Sequence, residues 1–239
     1  MFAQAYGVTL RLDPRLFDCL YSCICEANFY QDSQERLDID QERLDIESLT
    51  DLLWGLAEGS RLGYFHDKSP HSVLQALQAD LERAMHTARP ENLSVLLSSL
   101  AQLGLPPDAH VLRLLRDRAV AKSSVFSAVE VAEFLCALAS FPGSAGAFTQ
   151  LRQVLEAMAD RMETVIGDMS PEQVSASFSV FAALKFKPCS STRNLMTERA
   201  LECCVRFPAL SAVDMLCACA KNRYFFLCVC LQYFFFPRL

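Results

Sequence analysis

One polar pair returns four times along the chain: Glu82-Arg83, Asp117-Arg118, Asp160-Arg161 and Glu198-Arg199. A guanidinium is a planar fork whose N–H groups meet a phosphate or carboxylate through two parallel bonds. Arg83, Arg118, Arg161 and Arg199, repeated at a regular rise, would form a ladder suited to a row of phosphates. Arg113, Arg116, Lys122, Lys185, Lys187, Arg193 and Arg206 would widen that strip. A structural reading stands beside this one: each arginine hydrogen-bonds carbonyls or acids of a neighbouring repeat. Adjacent residues on a helix do not face each other, so no pair is expected to be its own salt bridge.

Other chemistry is thinly represented. Eleven cysteines invite a search for a metal site. They stand at 19, 23 and 25, at 136 and 189, at 203 and 204, and at 217, 219, 228 and 230, without a C-x-x-C pair. The histidines (His66, His71, His86, His110) lie far from these clusters. Zinc needs four ligands converging in a tetrahedron, commonly from two close pairs, so no metal is expected. Most of the cysteines lie in apolar runs such as Leu135-Cys136-Ala137-Leu138, where a free thiol behaves as a small hydrophobe. Their odd number, with no basic and apolar leader at the N-terminus, fits a reducing compartment. The sequence carries no phosphate-cradling glycine loop, no G-x-S-x-G and no H-E-x-x-H. The expectation is a non-enzyme with no catalytic residue, cofactor or small-molecule substrate.

The elements that position the cations are legible as a repeat. An i, i+4, i+7, i+8 pattern, one face of a helix, recurs five times. It reads Leu49-Leu53-Leu56-Ala57, Leu93-Leu97-Leu100-Ala101, Val131-Leu135-Leu138-Ala139, Val174-Phe178-Phe181-Ala182 and, more weakly, Ala212-Leu216-Cys219-Ala220. The alanines are 44, 38, 43 and 38 residues apart. Four residues before the first apolar position of the first four copies stand Asp45, Arg89, Ser127 and Ser170. Three of these can cap a helix, Ser127-x-x-Glu130 and Ser170-x-x-Gln173 have capping-box spacing, and Pro90 and Pro171 fall at the first helical position. Turn residues follow each copy: Gly59, Gly63 and Pro70; Gly104 to Asp108; Pro142 to Gly146; Lys187-Pro188. A second helix then carries the acid–Arg pair. On it, Leu112, Leu115 and Ala119, and likewise Leu155, Met158 and Met162, form the core stripe. At about 100° per residue the arginine lies at the edge of that stripe and the acid in water.

The predicted fold is therefore all-α, a right-handed α-solenoid of helix–turn–helix repeats, with a non-repeating helical bundle as the alternative. The repeat array spans 45–223, with units near 45–88, 89–125, 126–169 and 170–207 and a partial unit at 208–223. Residues 1–44 read as an N-terminal helix (14–30) and an acidic linker. Within it, Gln34 to Asp40 is repeated almost perfectly as Gln41 to Glu47, either a short coiled-coil seam or a slip duplication. Residues 224–239 are apolar and aromatic, expected to be irregular, and shorter than the about 20 residues that span a membrane. The net charge of −6 is uneven: residues 1–88 carry 7 Lys/Arg against 15 Asp/Glu. No overall basic footprint marks a nucleic-acid binder, although a local stripe can be basic on a neutral body.

Units such as Pro-Glu-Asn-Leu-Ser-Val-Leu-Leu-Ser-Ser-Leu-Ala-Gln-Leu-Gly-Leu-Pro-Pro (90–107) and Ser-Pro-Glu-Gln-Val-Ser-Ala-Ser-Phe-Ser-Val-Phe-Ala-Ala-Leu-Lys-Phe-Lys-Pro (170–188) resemble the helical-hairpin repeats of FAST-kinase-like and RAP-domain proteins. They are similar also to octotricopeptide and heptatricopeptide repeats. The resemblance covers about residues 45–220, and no RAP-domain pattern is read within the 239 residues. It implies an RNA-binding protein of a mitochondrion or plastid, acting in RNA processing, stability, translation or ribosome assembly on an organellar transcript or rRNA. Under it, the candidate RNA-binding residues are Arg83, Arg113, Arg116, Arg118, Arg161, Lys185, Lys187, Arg193 and Arg199. The alternative is a protein-binding scaffold of the HEAT or armadillo kind, which an acidic balance suits equally.

Overall fold

A computed structural model describes residues 44–62, 70–105, 109–141, 148–203 and 206–221. The predicted helix at 14–30, most of the tandem duplication, the Pro142–Gly146 turn and the 224–239 tail lie outside the described residues. Those described form nine α-helices and no strand. In chain order they are α1 (Ile46–Arg61), α2 (Pro70–Ala84), α3 (Pro90–Gln102), α4 (Ala109–Lys122), α5 (Ala128–Ser140), α6 (Phe148–Val165), α7 (Pro171–Ala183), α8 (Ser190–Cys203) and α9 (Ala209–Lys221). The all-α expectation is met, and none of these helices is long and apolar enough to cross a membrane.

The helices start where the sequence marks them. Asp45 caps α1 by accepting from the Ser48 N–H at 2.8 Å. Ser127 and Ser170 form full capping boxes with Glu130 and Gln173. Arg89 has no short side-chain acceptor to offer. There Asn92 supplies the reciprocal half, accepting the Arg89 N–H at 3.0 Å, while Pro90 opens α3 without an N–H to satisfy. The first loop is shorter than its glycines suggest. Gly59 is buried inside α1, which continues to Arg61, and Pro70 opens α2. The Arg61–Glu58 ion pair at 2.8 Å and the Leu62 N–H on the Glu58 carbonyl close that last turn.

The chain divides into two compact units. The first takes residues up to Ala88 and Ser99–Leu114; in it α1 packs on α2. The second takes Arg89–Ser98 and Leu115 onward. In the second unit, α5 packs on α7 and α7 on α9, while α6 packs on α5 and on α8, and α8 on α7. First helices thus neighbour first helices, and second helices neighbour second helices. One hydrogen bond repeats between successive first helices. Ser94 on α3 donates to the Glu130 carbonyl of α5 at 3.2 Å, and Ser175 on α7 donates to the Ser211 carbonyl of α9 at 2.6 Å. Both serines are buried, both lie five residues after the helix-capping position, and both acceptors lie three after the next one. A small hydroxyl allows close approach of two helices and satisfies itself on the neighbour, as a buried polar group must.

The apolar register is core. Leu49, Leu53, Leu93, Leu97, Leu100, Val131, Leu135, Val174, Phe178 and Phe181 are all buried. So are Leu115, Ala119, Leu155, Met158 and Met162 of the second helices; Leu112 is only half-buried, and Val111 fills the core beside it. The weak last copy departs most: Leu216 is half-buried and Ala220 exposed, while Met215 and Ala218 point inward. Leu210 and Val213 of α9 are 75% and 53% exposed.

Three junctions between consecutive hairpins have one design. A short 3-10 turn (Met85–Thr87, Ser123–Val125, Ile166–Asp168) is followed by one extended residue and then by the first residue of the next cap. That extended residue is Ala88, Phe126 or Met169, and all three are buried. Phe126 and Met169, each one residue before a helix cap, stand at the sequence position of a hydrophobic staple.

Candidate functional site

The recurring arginine does the same work in three hairpins. Arg83 Nη2 donates to the Leu44 carbonyl at 2.9 Å. Arg161 Nε donates to the Phe126 carbonyl at 2.7 Å. Arg199 donates to the Met169 carbonyl through Nη2 at 2.9 Å and Nε at 3.3 Å. Each acceptor is the residue immediately before the cap of the first helix in the same hairpin. The arginine therefore ties the second helix back to the junction from which its own first helix departs. Its remaining N–H groups meet neighbours one turn away: Asp80 for Arg83, Thr164 for Arg161 and Glu202 for Arg199. The apolar residue before each cap was the signal that sequence reading passed over. Leu44, Phe126 and Met169 are as regular as the arginines that hold them.

The acids of the four pairs do not bridge their own arginines. Asp117 is held by Arg116, at 2.6 and 2.8 Å, the long side chain folding around the helix to an adjacent residue. Arg113 donates to His110 at 2.9 Å and is exposed. Arg118 is half-buried and is not without a partner. Arg193 is half-buried with its Nε enclosed and without a hydrogen bond. Arg206 reaches the Cys203 sulfur at 3.4 Å. Arg83 and Arg113 belong to the first unit, and the other seven candidates to the second.

Two candidates are brought together. Lys185 and Lys187 lie on the turn between α7 and α8 and line a cleft of about 590 Å³. Phe186 and Cys189 complete that wall; Arg152, Glu156, Ala159 and Asp160 of α6 form the other. Arg152 and Glu156 pair at 2.8 Å along α6. Lys185, Lys187 and Asp160 make no ion pair among the described residues, and all three are exposed.

The turn that carries the lysines is held at both ends. At the C-terminus of α7 the Lys185 N–H bonds the Ala182 carbonyl at 3.2 Å and the Phe186 N–H bonds the Phe181 carbonyl at 2.9 Å. The Phe181 and Phe186 rings meet at 5.3 Å. This is a Schellman motif with its hydrophobic clasp, and it requires a left-handed residue after the helix. The end of α3 repeats it bond for bond: Gly104 to Ala101 and Leu105 to Leu100. Gly104 has φ 67°, and a side chain there would meet open space, so the position is glycine for its backbone alone. In α7 the same position is Lys185, with φ 54°. A residue with a Cβ is strained there by about 1–2 kcal/mol. At the other end, Cys189 caps α8: its sulfur accepts the Thr192 N–H at 3.5 Å and its carbonyl the Arg193 N–H at 3.1 Å. Thr192 and Cys189 both donate to Glu163 of α6, at 2.8 and 3.3 Å.

These bonds, from Thr192 first and Cys189 second, hold the Glu163 carboxyl below its ordinary value of 4.5. A group whose folded-state pKa is depressed contributes stability above its unfolded value, and that contribution disappears as pH falls through the folded value. Wild type should therefore melt higher than Glu163→Gln at neutral pH, and the gap should close as pH drops below about 4. Thermal melts of both proteins across that range check this; a gap that stays constant would refute it.

The other described cysteines carry less chemistry. Cys203 and Cys219 are buried and Cys217 is exposed. Burial, with Glu133 nearby, pushes the Cys136 thiol above its ordinary 9.0, which disfavours the thiolate. Among the described residues no three His, Cys, Asp or Glu side chains converge as metal ligands. No protein-family model matches the chain, and no curated protein matches it in sequence.

Proposed function

We propose that this chain is a non-catalytic RNA-binding helical-repeat protein of organellar RNA metabolism. The observation that carries the reading is the pair Lys185 and Lys187, cations without an ion pair among the described residues, set on a turn anchored at both ends and facing a cleft. An anchored backbone spares the ordering of the turn when its lysines meet a phosphate, and only the side chains have freedom left to lose. The resemblance of the repeats to organellar RNA-binding families supports the mitochondrion as its place of action. The recurrence of one junction and one serine bond supports extending the hairpins as a right-handed α-solenoid. In this reading Arg83, Arg161 and Arg199 are positioning residues, their N–H groups engaged by a junction carbonyl and a neighbour one turn away. Arg113, Arg116, Arg118 and Arg193 remain candidates for direct contact.

A protein-binding scaffold is the second reading, and the exposed Leu210 and Val213 of α9 favour it. Exposed apolar neighbours of this kind mark protein contacts more often than nucleic-acid contacts. Binding of a labelled 15-nucleotide single-stranded RNA, followed by anisotropy at several salt concentrations, separates the two. Expected is an affinity that falls with salt at a logarithmic slope of about −0.7 per phosphate contact. No binding at low salt overturns the RNA reading.

A further inference from the structure

The cleft has two walls of unlike chemistry, and each carries a charge without an ion pair among the described residues. On α6, Glu156 is neutralised by Arg152, which leaves Asp160 as the wall's unpaired charge among the described residues. On the turn, Lys185 and Lys187 are likewise without an ion pair. The volume of about 590 Å³ lies in the range of roughly 300–1,000 Å³ that small-ligand sites occupy. Lys185 is the decisive residue. The matching turn after α3 shows that glycine serves the backbone there without strain, yet α7 places a lysine in the left-handed conformation. Strain of this kind persists where the surrounding structure holds it, and it clusters at ligand clamps and active sites.

We propose that this cleft is a ribonucleotide subsite: Lys185 and Lys187 hold one backbone phosphate of single-stranded RNA, and Asp160 accepts the 2′-hydroxyl of an adjoining ribose. The proposal deepens the RNA-binding reading and rests on it. An ammonium is a three-donor point charge, so two of them on one turn suit a phosphate's several oxygens. An ionised carboxylate only accepts hydrogen bonds. It repels a phosphate but takes a hydroxyl, and the 2′-hydroxyl is the group by which a protein tells RNA from DNA. A cleft with cations alone would bind both polymers; the carboxylate gives it a reason to prefer one.

The test uses the full chain with a labelled 15-nucleotide single-stranded RNA and the DNA of the same sequence. Wild type should prefer RNA. Lys185→Gly should weaken RNA binding about three- to tenfold and flatten the salt slope by about 0.7, while its melting temperature rises because the left-handed strain is relieved. Lys187→Gln should weaken binding similarly. Asp160→Ala should erase the preference, with DNA binding as tight as before or tighter. RNA binding by wild type that Lys185→Gly and Lys187→Gln leave unchanged would overturn the subsite and spare the RNA reading. A preference for RNA that survives in Asp160→Ala would remove the hydroxyl contact. Wild type that binds neither polymer would overturn the RNA reading and the subsite together.

Discussion

Phe126→Ala should lower the unfolding free energy by about 3–5 kcal/mol. Phe126 is fully buried at the junction between the 3-10 turn after α4 and the cap of α5. Its ring meets Phe134 edge to face at 5.6 Å, and such a pair adds about 0.5–1.5 kcal/mol beyond its buried area. Truncation removes the ring from both partners and leaves a cavity that helices fixed by their caps cannot close. It also loosens the carbonyl that Arg161 holds. Phe126→Leu keeps most of the volume and should cost about 1.5 kcal/mol or less. Urea unfolding of the three proteins measures both. A loss below about 1 kcal/mol for Phe126→Ala would mean that the junction is not part of the cooperative core.

How far the sequence displays all this depends on what kind of interaction is asked for. Caps at Asp45, Ser127 and Ser170 are legible because capping is local: donor and acceptor lie three residues apart. The apolar register is legible because helical periodicity maps directly to burial. Leu112 and Leu216 stray from it, and Val111 and Met215, one residue earlier, take the core positions. Gly59 misleads because a helix ended by its own ion pair and carbonyl bonds tolerates a glycine within it. The acceptors of the arginines lie 30 to 39 residues away and are backbone atoms, which carry no side-chain signature. Only the recurrence of an apolar residue before each cap hints at them. The cleft is legible least. Lys185 and Lys187 are legible as candidate cations, but only the Schellman turn shows that Lys185 occupies a glycine's position, because a left-handed backbone leaves no mark on a lysine.

Arg199→Ala should destabilise the protein by about 2 kcal/mol, since a charge-assisted bond is worth about 1.5–3 kcal/mol and the Met169 carbonyl would lose both of its donors. Met169 is buried and its carbonyl sits at the junction, with little room for water to replace the guanidinium. Arg161→Ala should behave alike, because Phe126 is equally enclosed; Arg83→Ala should cost less, because Leu44 is half-buried and the Arg83 bond is exposed. This order, with Arg83 mildest, follows from burial of the acceptor. Arg199→Lys should recover only part of the loss, because one ammonium does not reproduce a fork that places two N–H groups on one oxygen. The same variants decide what the repeated arginine is for. As a positioning residue it should change unfolding while leaving RNA affinity, measured on folded protein well below its melting temperature, within about threefold of wild type. Were the four arginines instead a phosphate ladder, Arg199→Ala would leave the melting temperature in place and flatten the salt dependence of RNA binding by about 0.7. The carbonyl bonds predict the first outcome: a guanidinium already bidentate on Met169 and paired with Glu202 would have to release its own hairpin to grip a phosphate.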